Sequence, residues 1–246
     1  MALSIVVPMS KHTTVEDQKR AAAEAALEYV KSGMRLGLGT GSPAEHFVRA
    51  VAPRVKAGLK LTAVATSERT AALARELGIA VGDLDPVRHL DLTVDGADEI
   101  GPNLTLIKGG GGALLREKIV ASASDRMVVI ADAAKVVDTL GRFPLPVEIV
   151  PFAHLVTMER IAEAAARAGC SQNLMRLRGG EGHPFKTDSG NYIADYSADS
   201  IPDPERLARM IEGIPGVVDH GLFPSLASVA LVGTPDGVSV IDLPRR

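Results

Sequence analysis

With 246 residues, 46% of them hydrophobic and 23% charged, the chain suits one large soluble domain or a domain with a smaller companion. Its net charge of −3 supplies no global positive field, which argues against nucleic acid or an anionic membrane surface as partner and leaves any bound anion to be met locally. A single cysteine, Cys170, excludes an internal disulfide and fits a reducing compartment; after "AARAG" it reads as a small, half-buried filler.

The start, "MALSIVVPMSKHTT", is apolar for only a few residues, is broken by Pro8 and lacks a basic leading segment, so it reads as an extension and not a signal peptide. No run approaches the roughly 18 apolar residues of a membrane span, and a cytoplasmic location is expected. An alanine-rich amphipathic helix is predicted from Val15 to Lys31, then a strand at "MRLGLG", a helix over "SPAEHFVRAVAPRV", a strand at "KLTAVAT" and a helix over "SERTAALAREL". Ser42 is the expected N-cap of the second helix with Pro43 at its first helical position, and Ser67 that of the third. Short strands follow at "IAVG", "HLDLTVD" and "DRMVVIAD". Such alternation implies a doubly wound α/β domain, a mostly parallel sheet with helices on both faces.

After "LGRFPLP" the order becomes strand, helix, strand, strand, helix, strand, the split βαβ pattern of a ferredoxin-like α+β domain. The last segment, "VALVGTPDGVSVIDL", reads as a strand pair that returns to the first sheet. The expected division is therefore a Rossmann-like catalytic domain of residues 1–144 and 223–246, with a small domain at 145–222.

Ligands of an open parallel sheet bind beyond the carboxyl ends of its strands, where three unusual loops fall. In "GLGTGSPAEHF", glycines let backbone approach an anion beside Thr40, Ser42 and a helix N-terminus; the alternative is a plain tight turn. The spacing Gly37, Gly39, Gly41 is neither a Walker loop nor G-x-G-x-x-G, and Glu68 arrives late for a ribose-binding acid, so a dinucleotide is disfavoured. "VDGADEI" sets Asp95, Asp98 and Glu99 after an apolar strand, as solvated turn residues, as N-caps, as metal ligands or as acid–base groups. No nearby histidine completes a transition-metal set, although Mg²⁺ would need none. In "KGGGGALLREK", a strand ending near Lys108 would project its ammonium beside four glycines, and Glu117 would lie one turn into the next helix. Burial would raise the affinity of Glu117 for a proton while the helix N-terminus lowers it; otherwise Glu117 is an exposed helix residue. Together the loops offer an anion cradle, aspartates, a lysine and a carboxylate, equipment for moving a proton on a phosphorylated small molecule.

The segments "GLGTGS", "TSERT", "DLTVDGADEI", "KGGGGALLREKI", "IADAAKVVDTLGRFPLPVEIVP", "IPGVVDHGLF" and "VGTPDGV" resemble, in order, those of type A ribose-5-phosphate isomerases. The resemblance implies a reversible conversion of ribose 5-phosphate to ribulose 5-phosphate in the pentose phosphate pathway, by an oligomer (homodimer or homotetramer) needing no metal or organic cofactor. It implies that Glu117 is the base shuttling a proton between C2 and C1 through a cis-enediol. Asp95 and Asp98 would position the sugar and assist ring opening, and Lys108, beside Gly109, Gly110 and Gly111, would stabilise the enediolate oxygen. Thr40, Gly41 and Ser42 would hold the substrate, with Lys19 and Lys135 reaching its anionic end. The chain departs from the family at Pro43, where threonine is usual, and at "PSLAS" after "GLF". Other readings are an aminosugar-phosphate deaminase and a non-catalytic sugar-phosphate sensor.

Overall fold

The computed structural model describes residues 14–171 and 174–243, and the backbone of Ile5–Pro8. In chain order its first elements are β1 (Ile5–Pro8), α1 (Val15–Ala26), β2 (Arg35–Leu38), α2 (Ser42–Lys56), β3 (Thr62–Ala65) and α3 (Glu68–Glu76). Next come β4 (Val81–Gly82), α4 (Leu84–Val87), β5 (Leu92–Asp95), β6 (Glu99–Ile100), β7 (Leu106–Ile107), α5 (Leu114–Ser122) and β8 (Met127–Asp132). The remainder comprises β9 (Leu145–Ile149), α6 (His154–Arg167), β10 (Leu174–Leu177), β11 (Tyr192–Ser197) and α7 (Pro204–Glu212). It closes with β12 (Val217–His220), β13 (Leu222–Phe223), β14 (Ala227–Thr234) and β15 (Gly237–Asp242). These elements form two compact units, one from the described residues of 1–97, 116–136 and 225–246, the other from 98–115 and 137–224.

The first unit contains, among the described residues, an eight-stranded sheet in the order β1-β15-β14-β8-β5-β2-β3-β4. From β4 to β14 all neighbours are parallel. Their chain order is 3-2-1-4-5-6, so the direction of winding reverses between β2 and β5, the switch point where doubly wound sheets bind ligands. Alternation along β2 shows that both faces are covered. Leu36 and Leu38 join the core that includes the alanines of α1 and Phe47 and Val48 of α2. Gly37, between them, faces the other way, where an added Cβ would meet Val120 of α5 at 2.8 Å. The alanines Ala21, Ala22, Ala23 and Ala26 let α1 lie close on the sheet, so close that a Cβ on Gly233 of β14 would be 2.0 Å from the carbonyl oxygen of Gln18.

The second unit contains the sheet β10-β11-β9-β12, antiparallel throughout, with α6 and α7 in the expected βαββαβ order. Ile149, Ile161, Tyr196, Leu207 and Ile211 are among its core residues. Cys170 is buried there against Tyr196 as a filler; burial raises its thiol pKa and pushes the Tyr196 hydroxyl up to about 12. A further small sheet, β13-β7-β6, belongs to the same unit.

That small sheet is why the units divide elsewhere than at 144/145 and 222/223. β6 and β7 pair with each other and β7 with β13, so residues 98–115 cluster with the small unit, together with 137–144. The single strand expected over "GVVDHGLF" is two: β12 pairs with β9, whereas β13 turns to β7. The extension at the start includes a strand, β1, on the edge of the first sheet against β15. The helix expected to reach Lys31 leaves α geometry after Ala26 for a 3₁₀ turn at Leu27–Tyr29.

At the amino ends of β2 and β5, Asp91 accepts from the Arg35 backbone N–H (2.7 Å) and from Arg35 Nε and Nη2 (3.2 and 2.7 Å). These bonds hold the Asp91 carboxyl down to about 2. A carboxyl lowered on folding adds stability above its unfolded value and loses it as pH falls towards the folded one. After screening of these partly exposed side chains the contribution is about 1 kcal/mol. Asp91→Asn is expected to lower the urea-unfolding free energy by about 1 kcal/mol at pH 7, with the deficit roughly halved at pH 3. A pH-independent deficit would refute the assignment.

Candidate active site

In the first unit, β2 runs into Gly39-Thr40-Gly41 at the switch point. Gly39 passes so close to β5 that a Cβ there would be 2.2 Å from Asp95 Oδ1. That oxygen accepts the backbone N–H of Thr40 (3.0 Å) and of Gly96 (2.7 Å). The Asp95 side chain is fully buried, and such charge-assisted bonds offset the cost of removing a carboxylate from water. The Thr40 hydroxyl turns inward to Thr66 Oγ1 (2.7 Å) and Ser67 Oγ (2.9 Å), while Thr70 donates to the Gly39 carbonyl (2.9 Å).

The N-cap of α2 is Gly41 and not Ser42: the chain enters the helix at φ +102°, a conformation open to glycine, and Ser42 is already helical. Ser42 Oγ instead accepts from Lys19 Nζ (3.0 Å), and Pro43 follows in the same first turn. Glu16 lies between Lys19 (3.2 Å) and His46 (2.6 Å), and these two, His46 first, hold its carboxyl below the ordinary range. Ser67 caps α3 as expected, through the Thr70 N–H.

Lys135 sits in the turn that leaves β8. Asp132 caps that turn by accepting the Ala134 N–H (3.1 Å), and Gln18 of α1 accepts the Ala133 N–H (3.4 Å). Glu117, in the first turn of α5, is only 4% exposed, which removes the reading of an exposed helix residue. Its neighbours Ala113, Val120 and Ala121 are buried too, while the adjacent Arg116 faces outward to pair with Glu68 (2.8 Å).

In the second unit, β7 ends at Ile107 and Lys108 follows, 2% exposed. The Lys108 N–H donates to the Gly221 carbonyl (2.8 Å), and its ammonium lies 5.6 Å from the centre of the Phe223 ring. Asp98 Oδ2 accepts the N–H of Gly110 (2.7 Å). Gly109 and Gly112 have φ of +105° and +80°, which side chains rarely adopt. Both Glu99 oxygens accept backbone N–H groups, from Gly141 (2.7 Å) and Phe143 (2.6 Å).

A family model described as ribose 5-phosphate isomerase A (phosphoriboisomerase A) matches residues 62–237. The chain belongs to the ribose 5-phosphate isomerase A family. It is 60% identical over 227 residues to a ribose-5-phosphate isomerase A of Parvibaculum lavamentivorans, covering 92% of this chain and 98% of that one. The ribose 5-phosphate isomerase A of Neisseria gonorrhoeae superposes with a TM-score of 0.85 at 39% identity, over 95% of this chain and 99% of the other. A D-ribose-5-phosphate isomerase solved in complex with phospho-erythronic acid superposes with a TM-score of 0.86 at 36% identity, over 94% and 100% of the two chains.

In this member of the isomerase A family, Thr40, Gly41, Ser42, Lys19, Asp95, Glu117 and Lys135 belong to the first unit, and Asp98, Lys108, Gly109, Gly110 and Gly111 to the second. Lys19 and Ser42 touch directly, as do the Asp95 carboxylate and the backbone of Thr40. Sequence reasoning gave Ser67 only as a cap and passed over His46, Arg178 and the hydroxyls of Thr66 and Thr70. Only the last group left a trace, in "TSERT". Among the described residues no group of three or more His, Cys, Asp or Glu side chains is placed to hold a metal ion, and no helix is long and apolar enough to cross a membrane. Glu99, the third acid of "VDGADEI", is a structural residue. Glu99→Gln would set an amide NH₂ against a backbone N–H and should lower the urea-unfolding free energy by about 2–3 kcal/mol. A change below about 0.5 kcal/mol would show that its two bonds do not hold the 141–143 loop.

Proposed function

We propose that this protein interconverts D-ribose 5-phosphate and D-ribulose 5-phosphate through a cis-enediol, as a step of the non-oxidative pentose phosphate pathway and without metal or organic cofactor. The observation that carries the reading is the burial of Glu117 at the start of the helix that follows the glycine run, in a chain of this family. A carboxylate so placed suits general-base work on a carbon-bound proton.

In the open-chain sugar, Glu117 takes the proton from C2 and returns it to C1, while one hydroxyl proton passes from O2 to O1; the sum is the ketose. Lys108 and the Gly111 N–H offset the charge that grows on the enediolate oxygen, with Gly109 and Gly110 giving the backbone its close approach and the Gly110 N–H held by Asp98. Asp95 and Asp98 hold the loops by accepting the backbone N–H groups of Thr40 and Gly110, which suits the sugar-positioning role that the family resemblance implies for them. At the anionic end, Lys19 beside Ser42 and the α2 N-terminus suits the phosphate, with Lys135 as second cation. Thr40 shapes the loop that holds the substrate, since its hydroxyl and its backbone N–H are both bonded within the protein. Pro43 brings no hydroxyl or N–H, so Ser42 and Lys19 take more of the phosphate. The protein is read as a cytoplasmic homodimer or homotetramer acting on a small phosphorylated sugar, with no nucleic-acid or membrane partner.

The test is NMR of chelator-treated protein with ribose 5-phosphate in D₂O. Ribulose 5-phosphate should form with deuterium at the reacting carbon. Binding without turnover would mark a sensor, ammonia from an aminosugar phosphate a deaminase, and turnover only after added metal would overturn the mechanism. Glu117→Gln is expected to lower kcat by at least ~10²-fold with little change in KM, and a loss under about tenfold rejects it as the base. Lys108→Ala should cost roughly 10²–10³-fold in kcat; a rise in KM alone would make it a binding residue.

A further inference from the structure

The mechanism leaves Arg178 unused. It follows β10 in the second unit, and its guanidinium is committed on every side. Nε and Nη2 donate to the two oxygens of Asp195 (2.9 and 2.5 Å), a bidentate pair that fixes the plane of the fork. The remaining nitrogen, Nη1, donates to the carbonyls of Gly109 (2.9 Å) and Gly110 (3.3 Å). The side chain is 18% exposed, so these bonds are partly shielded from water. Phe185, with its ring centre 5.8 Å from the guanidinium carbon, fills the space beside Gly112, where an added Cβ would lie 2.4 Å from the ring.

A trans peptide is planar, with its C=O and N–H on opposite sides. Drawing the carbonyls of Gly109 and Gly110 to one nitrogen therefore turns the N–H groups of the same two peptides, those of Gly110 and Gly111, away from Arg178. The Gly110 N–H is found on that far side, on Asp98 Oδ2. The Gly112 N–H also closes a turn onto the Gly109 carbonyl (3.0 Å), and Arg178 adds the bonds that fix the orientation of that turn.

We infer that Arg178, fixed by Asp195, is a positioning residue for the reaction: it locks the glycine run in the orientation that presents the Gly111 N–H to the developing oxyanion. The inference rests on the function proposed above. The cation also polarises both peptides, which strengthens their N–H groups as donors. Lysine cannot replace it, because one ammonium cannot pair with both Asp195 oxygens and reach both carbonyls in a single plane.

The variants are Arg178→Lys, Arg178→Ala and Asp195→Asn, read by steady-state kinetics and by amide hydrogen exchange at Gly110 and Gly111. Arg178→Lys is expected to lower kcat by about 10²-fold with KM within about threefold, the mark of lost positioning and not of lost binding. Asp195→Asn should follow in the same direction, and added guanidinium should restore at least about tenfold to Arg178→Ala. Exchange at both glycines should quicken in all three. If Arg178→Ala does not fold, the other two variants decide. Wild-type exchange rates retained in Arg178→Lys and Asp195→Asn overturn the clamp, whether or not the sugar is turned over. Wild-type turnover that Glu117→Gln abolishes and Arg178→Lys leaves intact sinks this inference alone. A wild-type protein that binds without turnover sinks the proposed isomerase instead.

Discussion

A strand that ends in a turn leaves backbone N–H groups without ladder partners, and buried ones must find another acceptor. In this protein carboxylates serve at each turn that matters. Asp95 takes the N–H groups of Thr40 and Gly96, Asp98 that of Gly110, Glu99 those of Gly141 and Phe143, and Asp132 that of Ala134. The dependence runs both ways. A buried carboxylate tolerates loss of water only where donors converge on it, and a glycine-rich loop keeps one shape only where something holds its backbone. The acids of "VDGADEI" and the glycines of the loops beside them are thus two halves of one device.

The glycines bear this out individually. Bare backbone in such loops is commonly explained by the approach of a ligand, but here protein atoms already occupy most of the space where a side chain would go. A Cβ on Gly110 would be 2.6 Å from Asp98, one on Gly109 would be 2.9 Å from Leu114, and Gly112 is closed by Phe185. Gly39 is closed by Asp95 in the same manner. The residues that hold the loop in shape therefore also forbid its substitution, and a mutation at these positions acts first on the loop and through it on any ligand.

Much of this was legible in the sequence. The alternation of short apolar strands with capped helices determines the doubly wound sheet and the βαββαβ unit, because periodicity and capping are local. The helix that buries Glu117 was legible for the same reason, whereas the strand before Lys108, expected among the parallel strands, lies in the small antiparallel sheet β13-β7-β6. What escaped was set by distant partners. The pairing of β7 with β13 joins residues more than a hundred positions apart and moves 98–115 into the small unit. Ser42 has the right chemistry for a cap, yet Lys19 takes its hydroxyl and the positive φ of Gly41 takes its place. Arg178 reads as one more arginine in a strand, since nothing in its neighbourhood announces the carbonyls 68 and 69 residues away that it binds.

The cationic residues of the first unit show how packing far from a site can govern it. Lys19 is part of α1, and the turn bearing Lys135 is tied to the same helix through Gln18. The helix is located in turn by its alanines and by Gly233, which leaves the Gln18 carbonyl room to approach β14. A side chain at Gly233 would push α1 off the sheet, and α1 would carry Lys19 away from Ser42 and Gln18 away from the Lys135 turn. Gly233 of "VGTPDGV" and the alanines of the first helix carry no charge themselves. By fixing one helix they set where two charges stand, so small residues govern the site from places with no chemistry of their own.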